Sequence, residues 1–151
     1  MSRTTHAEAN LEDFASAAAR HWDNVQFLER DNRWQEAAYL AGYIAECSLK
    51  ALLERTAPDI LLRSLGHNLV ALTGDALEMA VLLNPASRRY RVLTLASGTG
   101  GIGQWQPEHR YAVTGFLPDS AFQQMIADAQ EIGRSVLIGL VLDGILEDVP
   151  R

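Results

Sequence analysis

The sequence predicts an all-α fold, a helical bundle forming one domain over residues 1–151. Three observations predict it. Apolar residues recur at three- and four-residue intervals along three stretches, as one face of a helix requires. A two-residue turn, Asp31-Asn32, joins the first two stretches, so they must return on each other as an antiparallel hairpin. Breaks at Ala57-Pro58-Asp59, Asn84-Pro85 and Pro118-Asp119-Ser120 punctuate the rest, because proline cannot continue a helix but suits its first turn.

Thr5-His6-Ala7-Glu8 has the spacing of a capping box and opens the first predicted helix. Leu11, Phe14, Ala15, Ala18, Trp22 and Val25 then form its apolar stripe, which ends near Arg30. Asn32 with Gln35 is a second capping-box match, placing helix two from Arg33 to about Thr56. Ile60 to Leu65 supplies one or two turns, stopped by Gly66. Leu69, Leu72, Leu77, Val81 and Leu82 indicate further short helix. Tyr90 to Leu95 reads equally as a strand or a helix end. The last long helix opens at Pro118. Phe122, Met125, Ile126, Ala129, Ile132, Gly133, Val136, Leu137 and Leu140 share its inner side.

The chain is long enough to bury a core, and 48% apolar with 21% charged residues is an ordinary globular balance. A net charge of −6 argues against a broad basic groove for nucleic acid but leaves room for a local basic pocket. One cysteine excludes an internal disulfide, and a reducing cytoplasm is the expected compartment. The N-terminus lacks the apolar core of a signal peptide. The apolar run Ser135–Leu146 is too short to cross a bilayer, so no membrane partner is expected. Four scattered histidines, one cysteine and no Glu-x-x-His give no metal site, and no cofactor is expected.

Gly98-Thr99-Gly100-Gly101-Ile102-Gly103 satisfies G-x-G-x-x-G. That motif needs a helix N-terminus after it to hold a pyrophosphate. Pro107 and the absence of helical periodicity there make the segment a flexible linker instead.

Helix two has two unlike faces. Trp34, Ala38, Ala41, Ala45, Ser48 and Leu52 form a side of mostly small residues suited to close packing. Tyr39, Tyr43, Glu46 and Lys50 lie opposite. Glu46 and Lys50 stand four apart with the acid first, a pair worth only about 0.3–0.5 kcal/mol on an exposed helix. With two tyrosines beside it, the pair reads as a semi-buried patch, at a dimer interface or a site. His67, at the break after Gly66, is either an acid–base group or a histidine capping a carbonyl. Arg110 either folds back onto Glu46, locking its loop to helix two, or binds a phosphate. Trp105 and Tyr111 anchor that loop to the bundle.

The Gly42-Tyr43 pair followed by Glu46-Cys47-x-Leu49-Lys50, then Gly66-His67-Asn68-Leu69, then Arg110-Tyr111, resembles the HEPN superfamily over about residues 15–140. The resemblance implies a four- or five-helix up-and-down bundle with a long glycine-rich loop before the last helix. It implies a homodimer, and many members are metal-independent ribonucleases carrying Arg, four to six residues, then His. Here Arg63-Ser64-Leu65-Gly66-His67 leaves only three residues between, so that motif is missing. Two expectations follow. One is a non-catalytic module that binds a nucleotide or a partner protein, such as a nucleotidyltransferase-type antitoxin, in a toxin–antitoxin or phage-defence system. The other is a ribonuclease using a non-standard set: His67, Arg110, Glu46, Lys50 and Tyr111.

Overall fold

The computed structural model describes residues 13–56, 66–76, 78, 81–82, 101–142 and 144, and among these there is helix and no strand. The long elements are α1 (Phe14–Arg30), α2 (Trp34–Thr56) and, near the C-terminus, a 24-residue helix. Between them, α3 (Leu69–Ala71) runs straight into a π-helical turn, Leu72–Ala76. Two 3-10 turns, Gly101–Gln104 and Pro107–Tyr111, precede α4 (Asp119–Leu142). The bundle class is therefore all-α.

Helix α1 starts later than the capping-box pattern predicts. Asp13 has extended backbone and its carboxylate accepts from the Ser16 amide at 2.9 Å, which makes it the N-cap. Residues 5–8 lie outside the described residues, as do Leu11, residues 60–65, Leu77, Asn84-Pro85, residues 90–95 and residues 97–100 of the glycine-rich loop.

The turn into α2 also differs from expectation. Asn32 adopts a left-handed φ of +56°, and the amides of Asn32 and Arg33 bond back to the Glu29 and Leu28 carbonyls. This is a Schellman ending for α1, with asparagine in the position glycine usually takes. Asn32 closes one helix rather than capping the next. Gln35, freed from that box, grips the loop before α4: its side chain accepts from the Gly115 amide at 2.8 Å and donates to the Val113 carbonyl at 3.3 Å.

Helix α2 is the central element, packed along α1 on one flank and α4 on the other. On its small-residue side Ala38, Ala41, Ala45, Ser48 and Leu52 are buried and Trp34, at the helix start, is half-buried. Ala37, Ile44, Leu49 and Leu53 are buried too, since neighbours cover more than one face. The inner side of α4 is the nine residues its periodicity predicts. At Gly133 three helices converge: an added Cβ would lie 2.8 Å from Ile44 Cγ2 and 3.2 Å from the Trp22 ring. Gln130 of α4 donates to Glu29 of α1 at 2.7 Å, closing the third side. Helix α4 ends at Leu142, and Gly144, with φ +73°, lies in a turn just past it.

The start of the loop before α4 is no flexible tether at residues 101–105. Gly101 has φ +72° with the Asp128 carboxylate where a Cβ would stand, and Asp128 accepts from the Ile102 amide at 3.1 Å. Ile102 is fully buried. Trp105 is buried against α2, and its indole N–H donates to the Tyr39 carbonyl at 2.9 Å. It reaches that depth because Gly42 has no side chain: a Cβ there would sit 1.9 Å from the indole.

Replacing Gly42 by Ala therefore evicts Trp105. The improved helix propensity, about 1 kcal/mol, opposes an overpacking penalty that is larger for a rigid ring, leaving a net destabilisation of about 2 kcal/mol. Chemical denaturation measures the loss. Red-shifted emission, absent when Trp105 is first changed to Phe, reports that this tryptophan has become wet.

Candidate functional site

Tyr43 stands at the centre of an aromatic cluster drawn from α1, α2, the turn before α3 and the loop before α4. From α1, His21 stacks on its ring with centroids 5.4 Å apart. From its own helix, Tyr39 meets it edge-on at 5.5 Å, and the two hydroxyls are 3.2 Å apart. Trp105 packs edge-on at 5.0 Å, and His67, from the turn before α3, at 6.3 Å. These separations are those of favourable aromatic pairs. Burial, and then the Tyr39 hydroxyl beside it, push the Tyr43 phenol well above its ordinary range, so Tyr43 is a neutral hydrogen-bonding group here.

The sequence around His67 has a local logic. Gly66 takes φ +52°, turning the chain. Asn68 caps α3 by accepting from the Ala71 amide at 3.0 Å, and Leu69 is buried. Held between turn and cap, the imidazole reaches α2, where its Nδ1 contacts Oε1 of Glu46. Glu46 is a buried carboxylate with its side chain 6% exposed, and its second partner is Lys50 at 3.8 Å. A buried carboxylate without partners would be costly, so the histidine and lysine are part of what lets Glu46 sit there. The carboxylate in turn fixes the ring's orientation, and the imidazole is 55% exposed. With Nδ1 engaged, the Nε2 edge is the one left for proton transfer or ligand binding.

Arg110 lies at the far end of the tyrosine pair. The neighbouring Tyr111 and Tyr39 hydroxyls, Tyr111 foremost, favour its charged form still further. It also lies over the Tyr111 ring, 4.7 Å from the centroid. The structure thus brings four of the five sequence-derived residues into one run, Lys50–Glu46–His67, then Tyr43 and Tyr39, then Arg110, with Tyr111 outermost. Two expectations are corrected. Arg110 does not fold back onto Glu46, whose partners are Lys50 and His67; it lies by Tyr39, about two turns earlier on α2, because the 3-10 turn over Pro107–Tyr111 sits against that end of the helix. Tyr111 does not anchor its loop, being 78% exposed; Trp105 and the Gln35 hydrogen bonds do that.

His21 escaped the sequence reading because Arg20-His21 fits no catalytic spacing. Its place on the stripe Ala18–His21–Val25, three and four residues apart, was the available signal. Desolvation, and secondarily Arg20, lower its pKa, favouring a neutral ring whose buried Nδ1 has no partner in the structure. Among the described residues no three His, Cys, Asp or Glu side chains are grouped to hold a metal, and no helix is long and apolar enough to cross a membrane. No family model, curated protein or solved structure matches this chain.

Cys47, next to Glu46, is buried, and desolvation pushes its thiol up to about 11. Thiol labelling at pH 8 is expected to be more than about tenfold slower in the folded protein than in denaturant, since both access and thiolate are lacking. Between the ordinary thiol value and about 11 the unfolded chain has lost this proton while the folded chain keeps it. Stability must then fall as pH rises through that window, by about 1.4 kcal/mol per pH unit at most from this group. Denaturation midpoints of wild type and Cys47→Ala, compared from pH 8 to 11, should diverge accordingly.

Proposed function

We propose that this chain is a HEPN-like, non-catalytic helical module that binds a phosphate-bearing nucleotide ligand on the face running from His67 to Arg110. The observation that carries the reading is the continuity of that face: an oriented, half-exposed imidazole and an exposed guanidinium are joined through two hydrogen-bonded tyrosines. A guanidinium offers paired N–H donors to phosphate, and an imidazole adds a second donor when protonated. The module works as a homodimer in the cytoplasm, as a companion in a toxin–antitoxin or phage-defence system. A nucleotidyltransferase-type antitoxin is the partner class that fits this role.

A second reading draws on one specific observation, the Glu46–His67 pair. A carboxylate on Nδ1 of a histidine orients and strengthens the ring as a general base at Nε2. With Arg110 neutralising phosphate charge, such a base could activate a ribose 2′-hydroxyl without a metal.

One set of experiments separates the two. Purified protein is incubated with single-stranded RNA in EDTA, and binding is followed in parallel by fluorescence anisotropy. The module reading expects intact RNA, with binding weakened about tenfold or more by Arg110→Ala, the scale of a lost charge-assisted contact. Cleavage that survives EDTA and disappears in His67→Ala would establish the ribonuclease instead. Light scattering should give twice the chain mass at micromolar concentration; a monomer would reject the dimer.

A further inference from the structure

Tyr111 is the most exposed aromatic side chain of the described fold. It sits at the end of a 3-10 turn begun by Pro107, two residues after Trp105 is pinned to the Tyr39 carbonyl. The guanidinium of Arg110 lies over its ring, 4.7 Å from the centroid, with Tyr39 as its other neighbour. One ring face is thus backed by a cation, and 78% exposure leaves the other face open. An exposed aromatic ring with a cation behind it has little packing to contribute to the core. It does have a flat surface suited to a nucleobase, since stacking on an aromatic side chain is tolerant of which base is present. The same exposed guanidinium offers planar N–H donors to a phosphate beside the stacked base.

We infer that Tyr111 and Arg110 form a nucleoside-phosphate subsite, the base stacking on the open face of Tyr111 and the phosphate on Arg110. This rests on the ligand class proposed above and names how that ligand is read. The subsite takes the base without base-edge selection, because neither side chain presents a pattern of donors and acceptors to the base edge. It lies at the outer end of the run that begins at His67. A strand seated there would continue along Tyr39 and Tyr43 toward the imidazole.

The test compares adenosine 5′-monophosphate, ribose 5-phosphate and a single-stranded hexaadenylate, titrated into the full chain by calorimetry. Base stacking contributes on the order of tenfold in affinity. Wild type is therefore expected to bind the nucleotide about tenfold more tightly than the sugar phosphate, with no such difference in Tyr111→Ala. Tyr111→Trp should restore it. The hexanucleotide should lose affinity with Tyr111→Ala to a similar degree, and tighter binding than the mononucleotide would identify an RNA strand as the source of the nucleotide. Circular dichroism confirms folding of each variant, which is expected because the ring is exposed. Equal binding of nucleotide and sugar phosphate by wild type, with Arg110→Ala still weakening both, overturns the stacking subsite and leaves the phosphate-binding reading standing. No binding of any probe overturns both.

Discussion

The missing side chain at Gly42 is the constraint on which the rest depends. Because nothing projects from α2 at that point, the Trp105 indole lies against the helix backbone and its N–H reaches the Tyr39 carbonyl. That contact fixes the loop before α4, and the loop carries Arg110. It also walls one side of Tyr43, whose ring then has Trp105, Tyr39, His21 and His67 around it. A methyl group in this place would remove the wall and release the arginine together. The glycine and the tyrosine beside it thus serve a single geometry, one by absence and the other by filling the space.

A second constraint is the burial of Glu46. On a helix packed on both flanks, a carboxylate at this position has little water to fall back on. Its two partners come from unlike places: Lys50 from the next turn of the same helix, His67 from a turn 21 residues on. The lysine stem is itself held, its ammonium 5.7 Å from the Phe14 ring of α1. The histidine is positioned less by its own neighbours than by Gly66 and Asn68, which bend the chain and cap α3. The Gly-His-Asn-Leu sequence therefore has a mechanical meaning independent of any family: turn, presented side chain, cap, anchor.

What the sequence disclosed follows from which signals are local. The inner stripe of α4 and the small side of α2 were legible because burial on one helix face leaves a 3.6-residue imprint. The Asp31-Asn32 turn was legible as a break, while its detail was not: a capping-box match and a Schellman ending both call for asparagine, and only backbone φ tells them apart. The Glu46, Lys50 and Tyr43 face could be seen as unusual, because three polar or aromatic residues on one side of an otherwise apolar helix need partners. Who the partners are is a matter of tertiary packing. The docking of Arg110 on Tyr39 rather than Glu46, and the stacking of His21 on Tyr43, are set by pairings 71 and 22 residues apart, for which one sequence carries no spacing rule. The glycine-rich loop misled for a related reason. Glycine signals freedom in the unfolded chain, whereas at Gly101 the same lack of a Cβ admits the Asp128 carboxylate and fixes the backbone.

Charge decides what kind of ligand this face can hold. The chain carries 13 basic against 19 acidic residues, so its long-range field repels a polyanion. Binding that depended on many phosphate contacts would have to overcome that field at each one and would collapse as salt rose. A site with one exposed guanidinium, one half-exposed imidazole and several rings divides the labour differently. Stacking and hydrogen bonding to neutral tyrosines are insensitive to the net charge, and a single phosphate can be met at short range by Arg110. If the proposed reading holds, such a site would bind a short ligand or a chain end with a shallow dependence on ionic strength. The aromatic content around Tyr43 is therefore what would make the proposed nucleotide recognition compatible with an acidic protein.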